Sequence, residues 1–72
     1  DPQEQLTGKA LMLQGDVMEL LMEKLLAAEF IPVRQSAERI QLRGRDDDTG
    51  QPLEMTILRA GPDTLLMVFP SS

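Results

Sequence analysis

The chain has 72 residues, 42% of them apolar, 26% charged and 3% aromatic, and its net charge is -5. It contains no His, Cys, Trp or Tyr, which removes imidazole acid–base chemistry, thiol nucleophiles and the zinc sites built on either. An apolar share this high suits one folded domain, while the negative charge disfavours the phosphates of nucleic acid and anionic membrane surfaces as partners.

In chain order, residues 1–8 read as a polar, frayed segment, with Thr7 placed to cap a helix and Gly8 weakening its first turn. Residues 10–30 read as one amphipathic helix of about 20 residues. Leu11, Met18 and Leu25 recur at heptad spacing, and Leu21 and Ala28 fill the alternate seam. Val17, Leu20, Met22 and Leu26 widen the apolar arc, and Gln14, Asp16, Glu19, Glu23 and Lys24 form the polar side. Gly15 marks a kink or a close approach, and Pro32 ends the helix. Residues 31–34 make a short extended piece. Residues 38–45 alternate, with Ile40 and Leu42 on one side and Arg39, Gln41 and Arg43 on the other. Turn formers crowd 46–52, residues 53–60 alternate again, Gly61-Pro62-Asp63 makes a tight turn, and 64–69 is the last strand.

The expected fold is therefore α+β. One long N-terminal amphipathic helix packs on a three-stranded antiparallel β-meander, or a four-stranded one if 31–34 joins, within a single domain spanning 9–70. Matching of faces predicts Ile40 opposite Ile57, Leu42 opposite Met55 and Arg43 opposite Glu54. In the second hairpin it predicts Ile57 opposite Met67 and Met55 opposite Phe69 on the inner face, leaving Leu58, Leu66 and Val68 outside. The last strand is apolar on both sides, as strands covered on both faces are. One helix covers one face. The expected contact surface is thus Leu58, Leu66 and Val68 on the sheet, with Met12, Met18 and Met22 on the helix, since methionine packs adaptably against varied partners.

Little catalytic chemistry is legible. Asp46, Asp47 and Asp48 before Gly50 miss the calcium-loop pattern, because positions five, six and twelve would be Gly50, Gln51 and Ile57. Turn chemistry accounts for them. Thr7-Gly8-Lys9 lacks the upstream glycine of a phosphate loop. The serines Ser36, Ser71 and Ser72 have no histidine to activate them. The stripe of Arg39, Arg43 and Arg45 reads as a solvated sheet face with one cross-strand ion pair, with binding of an acidic partner as the other reading.

The order of a helix followed by a hairpin meander resembles the first half of the type III secretion chaperone fold and the opening of the kinase-associated regulatory domain. That resemblance rests on element order and implies protein contact rather than catalysis. The expectation is a small, acidic, non-enzymatic protein-interaction module without cofactor or metal. Its expected partner is a second copy of itself in a homodimer, not nucleic acid or membrane, and the cytoplasm is the favoured compartment. The alternative is a peptide- or ligand-binding carrier with a Met-rich apolar groove.

Overall fold

The computed structural model describes residues 8–71. Its elements are β1 (Lys9–Leu13), α1 (Met18–Ala27), β2 (Ile31–Gln35), β3 (Arg39–Arg45), β4 (Pro52–Ala60) and β5 (Asp63–Pro70). The strands form one five-stranded sheet in the order β1-β5-β4-β3-β2, and each neighbouring pair is antiparallel. The α+β class with an antiparallel sheet stands. The long helix on a three-stranded meander does not: α1 has 10 residues, and the segment before it is a strand.

The reason lies in residues 10–17. An unbroken apolar run such as Ala10-Leu11-Met12-Leu13 satisfies a strand as readily as a helix. Here it pairs with β5, setting Leu11 opposite Leu66. Gly15 then takes φ +84°, a left-handed conformation that no helix interior accepts. The corner is held by β5. The Gly15 N–H donates to Asp63 Oδ1 at 2.9 Å and the Val17 N–H to Thr64 Oγ1 at 3.0 Å, while the Thr64 hydroxyl donates to the Gly15 carbonyl at 2.8 Å. Thr7, expected as a helix cap, lies outside the described residues, as do the other residues of 1–7.

α1 also ends before Pro32 can act. Phe30 N–H donates to the Leu25 carbonyl at 2.9 Å and Glu29 N–H to that of Leu26 at 3.0 Å, the paired bonds of a Schellman turn. Glu29 occupies its left-handed position at φ +69°. Pro32 instead lies in β2, where the register with β3 shifts between Pro32 and Arg34.

The β3–β4 register matches the expected one: Ile40 faces Ile57, Leu42 faces Met55 and Arg43 faces Glu54. The β4–β5 register is displaced by one residue. Ile57 faces Leu66, Met55 faces Val68, Thr56 faces Met67 and Leu58 faces Leu65. The cause is the turn, since Ala60 pairs with Asp63 and leaves Gly61-Pro62 as a two-residue loop. Gly61 has φ +63°, which suits the first central position of a type II′ hairpin turn.

The core lies between α1 and the inner face of the sheet. Met18, Phe30, Ile40, Leu42 and Ile57 are buried, with Leu21, Met22, Leu25, Leu53, Met55 and Leu66 packed against them. Phe30 reaches this layer because Gly44 leaves room for it. A Cβ on Gly44 would come within 2.6 Å of the ring.

Candidate interaction surface

In an antiparallel sheet, residues directly opposite one another share a face, so the register assigns every side chain. One inner row runs Leu11, Leu66, Ile57, Ile40 and Gln35, and the next runs Lys9, Val68, Met55, Leu42 and Pro32. The outer face, turned away from α1, carries Met12, Leu65, Leu58 and Arg39 in one row and Ala10, Met67, Thr56, Gln41 and Arg34 in the next. A third row holds Phe69, Glu54, Arg43 and Ile31, and Arg45 lies beyond it opposite Pro52.

On β5 this arrangement corrects two of the expected contact residues. Leu66 and Val68 belong to the inner face, because the two-residue turn shifts β5 by one position and so exchanges its sides. Leu66 packs against the core. Leu58 is on the outer face as expected, opposite Leu65. Met12 lies on β1 rather than on a helix, on the outer face and 55% exposed. Met18 is buried in the core, and Met22 is partly buried against it. The outer residues that sequence reasoning missed are Leu65, Met67 and Phe69. Recognition of Gly-Pro as a two-residue turn is the signal that would have found them.

The outer face divides into two halves. Toward β1, β5 and the near part of β4 it is apolar: Ala10, Met12, Leu58, Leu65, Met67 and Phe69. Toward β3 and β2 it is mainly basic, with Arg34, Arg39, Arg43 and Arg45 beside Gln41 and the exposed Ile31. Glu54 faces Arg43, with 3.4 Å between Oε1 and Nε. Thr56 lies between the halves and is buried although no helix covers it.

The opposite side of the molecule is acidic. Asp16, Glu19, Glu23 and Glu29 are exposed on α1 and its flanks beside Lys24. Leu20 and Leu26 are also exposed there, at 51% and 45%. Arg59, the remaining arginine, belongs to this side, with Nη1 3.0 Å from Asp16 Oδ2 and Nε 3.9 Å from Glu38 Oε2.

A pocket of about 390 Å³ lies beside the first turn of α1. Met18, Met22 and Ile40 contribute its apolar wall, and Asp16, Glu19 and Arg59 its polar rim. The three aspartates lie in the β3–β4 loop. The Asp46 side chain accepts from the Asp48 N–H at 2.8 Å, and the Asp46 carbonyl accepts from the Gly50 N–H at 2.8 Å. These are the local bonds of a turn. Among the described residues, no group of three or more acidic side chains is placed to hold a metal ion, and no helix is long and apolar enough to cross a membrane.

No protein-family model matches the chain, and neither the curated proteins nor the solved structures contain a match to it.

Proposed function

We propose that this chain is a non-catalytic protein-interaction module that associates with further copies of itself. One observation carries the reading: the sheet face left uncovered by α1 is apolar over half its width. An antiparallel sheet with one face in water ordinarily alternates apolar inward and polar outward. β3 obeys that rule with Arg39, Gln41 and Arg43. β5 breaks it with Leu65, Met67 and Phe69, and β1 extends the break with Ala10 and Met12. Contiguous apolar surface of this kind marks a contact site in small soluble domains.

The test is the mass of the molecule in solution, measured by sedimentation from about 5 to about 500 μM, where small interfaces associate. A weight-average mass that climbs above the monomer's supports the reading, and a monomer across the range refutes it. Leu65→Glu places a charge on the outer face without touching the buried layer. It should lower association while leaving the fold, followed by circular dichroism, intact.

A further inference from the structure

The two sides of the molecule differ in charge and share exposed leucine or aromatic surface. Arg34, Arg39, Arg43 and Arg45 stand on the outer sheet face of a chain whose net charge is -5. Asp63 lies at the far turn with its carboxylate on the Gly15 N–H, so it does not offset them. On the opposite side, successive α1 residues are about 100° apart around the axis. Leu26, Glu19, Glu23, Ala27 and Leu20 therefore follow one another around the solvent arc, two acids between two leucines. All five are exposed.

We propose that the solvent side of α1 in one copy docks on the outer sheet face of the next, so that assembly is head-to-tail. Glu19 and Glu23 meet the arginines of β3. The leucine on one flank of the acids lies against the apolar half formed by Leu65, Met67 and Phe69, and the leucine on the other flank lies toward β2 and the exposed Ile31. The inference rests on the self-association proposed above and names its geometry.

Charge favours this pairing over the symmetric alternatives. Two outer sheet faces in full overlap oppose arginine with arginine or bury it against apolar side chains, and a two-fold contact offset onto the apolar halves alone leaves the arginines without a partner. Two helix faces oppose Glu19 and Glu23 with their own copies. Like charges placed together across an interface disfavour a pairing, and unlike charges favour it and select the register. The sizes agree. A helix of 10 residues is about 15 Å long, and it fits within the span of β3, whose 7 residues cover about 23 Å. Such a contact falls at the small end of specific interfaces, so the assembly is reversible. A head-to-tail contact whose rotation does not close continues into an open chain of copies.

The experiment reverses charge on each face separately. Arg39→Glu with Arg43→Glu alters the sheet face. Glu19→Arg with Glu23→Arg alters the helix face. A fourfold variant carries both pairs and keeps the net charge of the parent. Sedimentation of the parent should show mass rising with concentration without a dimer plateau. Each double variant alone should associate at least about tenfold more weakly. An equimolar mixture of the two, and the fourfold variant alone, should regain association, which also shows that the altered chains fold.

If the helix-face variant alone still associates like the parent, the contact is sheet to sheet or edge to edge, and the head-to-tail geometry is overturned while self-association stands. If neither the mixture nor the fourfold variant regains association, the charge pairing is refuted. A parent that stays monomeric overturns both this inference and the reading beneath it.

Discussion

Two phenylalanines lie over two glycines, one on each face of the sheet. Phe30 covers Gly44 on the inner face, and Phe69 covers Gly8 on the outer. The same substitution should cost different amounts at the two sites, because the rings differ in freedom. Phe30 is 7% exposed and walled in by the core, whereas Phe69 is 36% exposed. Gly44→Ala forces a buried ring out of place, and overpacking of that kind costs about 1–3 kcal/mol. Gly8→Ala lets Phe69 swing into water but also brings the new Cβ to 2.9 Å from the Val68 carbonyl, which must give slightly, so it should cost about 1 kcal/mol, less than Gly44→Ala. Thermal melts of the two variants should rank them in that order, and equal losses would contradict the packing described. Glu29 points the other way. It holds a left-handed φ of +69° at the end of α1, where a side chain costs roughly 1 kcal/mol or more. Glu29→Gly should therefore raise stability by about 0.5–1 kcal/mol, after allowance for the extra freedom of glycine in the unfolded chain.

Among the elements, α1 depends on a strand distant in sequence for its starting point. No side chain caps its N-terminus locally. The Thr64 hydroxyl on β5 binds Val17 N–H and the Gly15 carbonyl instead. Thr64→Val keeps the shape of the side chain and removes both bonds, leaving a part-buried donor and acceptor unmet. The expected loss is about 2–3 kcal/mol, read from denaturant unfolding, and a loss below about 0.5 kcal/mol would show that the corner holds without them. Such long-range bonds are invisible in a linear reading, which explains what could and could not be seen there. β3 and β4 were legible because each alternates polar with apolar, and one register satisfies both their apolar faces and the Arg43–Glu54 pair. β5 was legible as a strand but not in register, since Leu65, Leu66, Met67, Val68 and Phe69 are apolar at odd and even positions alike and no pattern penalises a slip. β1 was hidden for a related reason. Leu11, Met18 and Leu25 meet a helical spacing by coincidence, and only the free edge of β5 decides that Ala10 to Leu13 are extended. Of the contact surface, Leu58 could be placed from the sequence. Arg34 joined the basic half only once β2 was seen paired with β3.

At the level of the whole molecule, association and folding are linked, and that linkage can be measured without any substitution. A contact made between folded copies and absent between unfolded ones stabilises the folded state by mass action. Above the dissociation constant, each tenfold increase in concentration contributes up to about 1.4 kcal/mol per contact. A domain of 72 residues shifts its melting midpoint by roughly 4–8 °C per kcal/mol. The midpoint of the parent chain should thus climb by several degrees as concentration passes through the associating range. The neutral sheet-face variant Arg39→Gln with Arg43→Gln removes charges from an exposed surface, where the one facing partner, Glu54, makes a solvent-screened pair of little worth to the monomer. Its midpoint should equal the parent's at the lowest concentration and stay flat as concentration rises. A variant that is less stable already in dilute solution would show that the arginines serve the monomer's own fold. A parent midpoint independent of concentration, with sedimentation showing larger species, would mean that the copies meet in some state other than the folded one.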